Sequence, residues 1–156
     1  MTRQVRFTIP ATLPNVGSIA ESLKSFMEGH LPEETCHAIE IGVVEALTNI
    51  VSHGYKHNGE AVIELSFSHS ESSALVEITD RGTPIPHEEL ERNTAEVFSF
   101  DENDIANLPV GGMGLSLIKQ VFDAVRYETE QGANRLTMAK RFGEDPQDQP
   151  VSDNQT

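Results

Sequence analysis

Residues 39–55 read IEIGVVEALTNIVSHGY, and the rest of the chain is organised around this stretch. Val43, Ala46, Leu47 and Ile50 recur at three- and four-residue steps, an apolar stripe suited to a core. Glu45, Asn49 and His53 stand four residues apart and rise as a shallow row along another side of the same helix. A carboxylate and a carboxamide one turn apart can position a hard cation and activate a hydroxyl. They equally suit a plain surface helix with a hydrogen-bonded Asn, and alone the stretch favours that simpler reading.

Outward from this helix the pattern changes period. Toward the N-terminus, Pro32 with Glu33 and Glu34 opens the helix, where proline and acids suit the first turn. Residues 14–29 place Val16, Ile19, Ala20, Leu23, Phe26 and Met27 at helical spacing, with Asn15 as a plausible cap. Residues 5–9 (VRFTI) alternate as a strand stopped by Pro10. On the other side, residues 61–69 (AVIELSFSH) and 74–80 (ALVEITD) alternate as an antiparallel hairpin around a Ser/Glu turn. Residues 81–86 (RGTPIP) form a loop, and 87–92 suggest a short polar helix. Residues 94–110 carry no sustained period, as expected of a lid or partner-binding loop. Residues 111–122 (GGMGLSLIKQVF) run from a glycine-rich turn into an amphipathic helix. Strands over 124–130 and 133–142 follow, around Gln131-Gly132. The order β-α-α-β-β-loop-α-β-β predicts an α+β fold with one mixed sheet and helices on a single face.

The 156 residues suffice for one core, expected over 1–142, and the polar, acidic run 143–156 is expected to be a disordered tail. No window resembles a membrane span, and the basic N-terminus lacks the apolar run of a secretory signal, so a cytoplasmic setting is expected. The single cysteine, Cys36, rules out an internal disulfide and reads as an ordinary helix residue. A net charge of −14 with scattered basic residues argues against a nucleic-acid backbone as partner. A small phosphate ligand is compatible with that charge, because backbone N–H groups and a metal ion neutralise it locally.

Two further features bear on chemistry. Asp80-Arg81-Gly82 ends a strand, where an acidic side chain can accept from an exocyclic amine, although such turns also arise for steric reasons. Gly111-Gly112-Met113-Gly114 opens a helix and lets backbone N–H groups approach an anion, although glycines at a helix entry also serve packing. It is not a Walker loop, since no Gly-Lys-Ser/Thr follows.

In this order the three boxes, Glu-x-x-x-Asn, Asp-x-Gly and Gly-Gly-x-Gly-Leu, resemble the GHKL (Bergerat-fold) ATPases over residues 5–142. Within that superfamily, EALTNIVSHGY (45–55), DRGTP (80–84) and GANRLTMAK (132–140) look like the RsbW/SpoIIAB-type anti-sigma factor serine kinases. The resemblance implies a two-layer α/β sandwich with a mixed, mostly antiparallel sheet. It implies ATP and Mg2+ as cofactors, with Asn49 as metal ligand and Glu45 as general base toward, or orienter of, a partner's serine. Asp80 would accept from the adenine amine with a water held by Thr137, and Gly82 would admit the base. Gly111, Gly112 and Gly114, with Leu115 behind them, would line the phosphates beneath a lid over 86–110. His53 matches a family position and suits a helix-end hydrogen bond.

The implied partners are a STAS-domain anti-sigma antagonist as substrate and a sigma factor or comparable regulator, with a homodimer as a further expectation. Two departures stand out. Pro84 replaces a glycine frequent in GHKL loops, a change typical of this branch. Residues 107–110 (NLPV) offer no arginine to the γ-phosphate, leaving Arg92 as the one basic lid residue. A module that binds partners without turnover is therefore the alternative. The catalytic half of a two-component histidine kinase fits less well, because no phosphoacceptor hairpin precedes the domain and His37 lies in the helix that carries Glu45.

Overall fold

Alternating apolar and polar residues build five strands. In the computed structural model, which describes residues 2–54, 61–84 and 113–143, these are β1 (Arg3–Pro10), β2 (Val62–His69), β3 (Ser73–Asp80), β4 (Ala124–Glu130) and β5 (Ala133–Arg141). Their order in the sheet is β1-β2-β3-β5-β4, and all four pairings are antiparallel, in keeping with the expected α+β sandwich around a mostly antiparallel sheet. Ile63, Leu65 and Phe67 of β2, Ala74, Val76 and Ile78 of β3, and Leu136 and Met138 of β5 are buried on one face. The opposite face carries polar neighbours such as Glu64, Glu77 and Arg135. Period-two alternation thus separates core from outer face.

Among the described residues three helices cover the inner face: α1 (Leu13–Met27), α2 (Glu33–Asn49) and α3 (Met113–Val121). Val16, Ile19, Leu23 and Met27 of α1 join Ile39, Val43, Ala46 and Leu47 of α2 in one cluster with the inward strand residues. Full burial of each large aliphatic or aromatic side chain contributes roughly 1.5–3 kcal/mol, so this stripe is what fixes α2 to the sheet. The close pass of α3 over α2 depends on Gly42, because a Cβ there would collide with the buried Phe122 ring.

Several local expectations changed. Asn15 lies inside α1 rather than capping it: Thr12 is the N-cap, and Asn15 Nδ2 donates to Thr12 Oγ1 at 2.6 Å. The stretch 39–55 is not one α-helix. α2 ends at Asn49 and passes into a π-helical turn, Ile50–Gly54, with Ile50 N–H shared between the Ala46 and Leu47 carbonyls. The β4–β5 hairpin turns as expected at Gln131 and Gly132, both at positive φ (52° and 79°), the geometry that matches strand twist in a two-residue turn. The polar stretch 87–92, the lid 86–110, Gly111 and Gly112, and the tail beyond 143 lie outside the described residues.

Candidate functional site at one end of the sheet

Hydrogen bonds and strand register indicate toward which end of the sheet the described parts of the three boxes lie. A cleft of about 580 Å³ lies between the first turn of α2 (Pro32, Glu33, Glu34, Thr35) and the end of β5 (Lys140, Arg141, Phe142). That end of the sheet is also where β3 begins, since Ser73 pairs with Arg141. A helix of this length rises roughly 25 Å, about the span of an eight-residue strand. The C-terminal end of α2, with Asn49, therefore lies toward the opposite end, where β3 stops at Asp80. For α3 the relation is reversed: Lys140 Nζ donates to the Val121 carbonyl at 2.7 Å, and Asp123 N–H to the Ala139 carbonyl at 2.9 Å. These bonds tie the end of α3 to the Lys140 end, so its first turn points back toward Asp80. A helix C-terminus favours a cation and a helix N-terminus an anion, so the two helices offer opposite poles to one region.

Asp80 occupies the last inward position of β3 and is 5% exposed. Its Oδ1 accepts from Gly82 N–H at 2.9 Å and from Asn134 Nδ2 at 3.0 Å. Asn134 also donates from Nδ2 to the Gly82 carbonyl at 2.9 Å, while its Oδ1 accepts from the Thr129 hydroxyl at 3.0 Å. Among the described residues none is hydrogen-bonded to Asp80 Oδ2. A buried carboxylate with one oxygen doubly bonded and the other open is set to accept from a donor arriving from outside.

Thr137 does not belong to this group. It pairs with Glu77 on β3, and the strand pleat sends it to the outer face, opposite Asp80. Asn134, directly across from Asp80 in the β3–β5 register and 1% exposed, is the β5 side chain that meets Asp80. Parity was the available signal: counted back from Met138 and Leu136, Asn134 shares their inward face two residues after Gly132.

Glu45 is half-buried and lines a groove of about 310 Å³ between α1 and α2 with Lys24, His37, Glu40, Ile41 and Val44. Asn49, also half-buried, is the last α-helical residue of α2. His53 follows in the π turn that succeeds α2. The His53 side chain is outside the described residues. Gly114 and Leu115 lie in the first turn of α3, and Gly82 follows β3 with its N–H on Asp80. Among the described residues no three His, Cys, Asp or Glu side chains form a metal cluster. Elsewhere, burial foremost and the Glu28 carboxylate next push the Cys36 thiol up, and burial pulls Lys119 down. Cys36 is buried, with its Sγ on the Leu31 carbonyl, so it is an ordinary packed thiol as expected. Among the described residues no helix is long and apolar enough to cross a membrane.

Known proteins agree with this architecture. The sequence pattern of the histidine kinase-like ATPase domain matches residues 9–140. A serine-protein kinase RsbW from Oceanobacillus iheyensis is 30% identical over 115 residues, 74% of this chain and 71% of that protein. One from Staphylococcus aureus strain JH9 is 30% identical over 138 residues, covering 87% and 85%. A structure of RsbU and RsbW domains from Mycobacterium tuberculosis superposes with a TM-score of 0.62 at 15% identity, over 89% of this chain but about a third (32%) of that one, and shows the shared fold. A domain match over most of the chain, joined to relatives at this identity and coverage, places the chain in the histidine kinase-like ATPase domain family, in its RsbW-type serine-protein kinase branch.

Proposed function

We propose that the protein is an ATP-dependent serine kinase that phosphorylates a STAS-type anti-sigma antagonist and, in alternation, sequesters a sigma factor or comparable regulator. The observation that supports this reading is the buried Asp80 carboxylate at the end of β3, which has only Oδ1 hydrogen-bonded among the described residues. Asp80 Oδ2 accepts from the adenine amine, with Gly82 beneath the base. Gly111, Gly112 and Gly114 present backbone N–H groups to the phosphates, and the positive end of α3 supports them. Among the described residues there is no carboxylate cluster, and a neutral amide would suit Mg2+ where phosphate oxygens and waters supplied the remaining ligands. Asn49 Oδ1 would be that ligand, and the bound ion would neutralise charge on the transferring phosphoryl group. Glu45 then takes the proton of the incoming serine hydroxyl, while positioning supplies most of the remaining rate.

Transfer of labelled γ-phosphate to the cognate antagonist tests the reading. Glu45→Ala should lower transfer by about 10²–10⁴-fold, the usual range for a general base, and leave ATP affinity intact. No transfer to any cognate antagonist at saturating Mg-ATP contradicts catalysis. That result would favour sequestration without turnover, a second reading supported by the absence of arginine in residues 107–110.

A further inference from the structure

Asn134 is buried, bonded on both ends of its amide, and outside the three sequence boxes that identify the site. Its orientation is chemically forced. Asp80 Oδ1 and the Gly82 carbonyl are both acceptors, so only the amide NH2 can face them. The Thr129 hydroxyl donates to the other end and locks that choice. The chain of bonds runs in one direction across three neighbouring strands, from Thr129 on β4 through Asn134 on β5 to Asp80 on β3.

We infer that Asn134 is a positioning residue for base recognition: with Thr129 it fixes the Asp80 carboxylate and the Gly82 loop so that Oδ2 alone meets the purine 6-substituent. This deepens, and rests on, the reading of Asp80 as the adenine acceptor. Occupying Oδ1 with two donors does two things. It holds the carboxylate in one rotamer, and it leaves one acceptor oxygen directed outward, which rewards a 6-amino group and gives nothing to a purine lacking one. Because the second Asn134 bond goes to the Gly82 carbonyl, the same side chain sets the height of the loop on which the base rests. A hydroxyl at position 134 has one proton and could not serve both acceptors.

The test is calorimetric titration with Mg-ATP and with the Mg complex of purine riboside triphosphate, which lacks the 6-amino group, alongside thermal melting of every variant. Wild type should prefer ATP about tenfold, the usual weight of a hydrogen bond to a charged group. Asp80→Asn should remove that preference. Asn134→Asp keeps the shape but turns two donors into acceptors, and should weaken ATP about tenfold or more and the analogue, through the Gly82 loop, distinctly less. Thr129→Val, at an exposed position that tolerates the change, should reduce the ratio a few-fold in the same sense. An unchanged ATP-to-analogue ratio in folded Asn134→Asp and Thr129→Val, with Asp80→Asn having lost it, overturns the role of Asn134 alone. Equal weakening of both nucleotides overturns it too, since that marks a merely structural residue. A ratio that survives Asp80→Asn overturns the underlying assignment of Asp80.

Discussion

Each end of the sheet buries a polar side chain at the last inward position of a strand, and the two ends treat it differently. At the end of β2, His69 is 6% exposed and both ring nitrogens are engaged. Nδ1 donates to the Ser70 carbonyl at 3.1 Å, which leaves Nε2 as the acceptor for Arg3 Nη1 at 3.3 Å. Arg3 in turn donates to the Phe26 carbonyl at 3.0 Å and lies 4.2 Å from the Phe26 ring centre, and Phe26 meets Phe67 edge-on. At the end of β3, Asp80 is as deeply buried but has only Oδ1 engaged among the described residues. A saturated buried polar group holds the fold together, whereas a half-saturated one carries a desolvation cost that a ligand can relieve. Burial alone does not distinguish scaffold from site. The hydrogen-bond inventory does.

That contrast can be broken from either side, and the largest effect is expected at the His69 end. Phe26→Ala removes the ring that packs on Phe67, His69 and Arg3, and should cost about 3 kcal/mol in denaturant unfolding. Its Mg-ATP affinity should not change; a parallel loss of affinity would show that the two ends are coupled. Asp80→Asn works the other way. Its carbonyl oxygen can still accept from Gly82 and Asn134, so stability should move by less than about 1 kcal/mol. The amide now opposes the adenine amine, and ATP affinity should fall at least about tenfold by calorimetry.

Gly42→Ala sharpens the comparison from between the ends. Displacing the Phe122 ring should cost about 1–3 kcal/mol, and because α3 shifts with it, nucleotide affinity should fall as well. The smallest effect is pH-dependent. Cys36 is raised by burial, so the folded state keeps its proton after the unfolded chain has lost its own. Its contribution is therefore full below the ordinary thiol range and lost as pH climbs through the raised value. Alkylation of the folded protein at pH 8 should be slow, and a rapidly modified Cys36 would show that this helix opens.

Much of the fold is legible in the sequence alone. Alternation located β2, β3 and both strands of the last hairpin within a residue or two, because inward positions there are consistently apolar. The end of α2 was not legible: Ile50 and Val51 continue the apolar stripe, so nothing in the pattern marks the switch to a π turn at Asn49. The Asp-x-Gly box was found because its residues are contiguous. Asn134 was missed because its partner is 54 residues away and becomes a neighbour only once the β3–β5 register is known. Thr137, implied by the family resemblance, sits on the outer face by the strand pleat. Strand parity, applied to chemistry as strictly as to the core, points to Asn134 as the inward partner of Asp80.

The most direct test of a nucleotide site at the Asp80 end is amide chemical-shift mapping during titration of the isotope-labelled protein with Mg-ATP. The changes should cluster at Asp80 and Gly82, at residues 129–134 and around Asn49, while Arg3, Phe26 and His69 stay still. Shifts centred on the His69 end, or none at saturating nucleotide, would contradict the account.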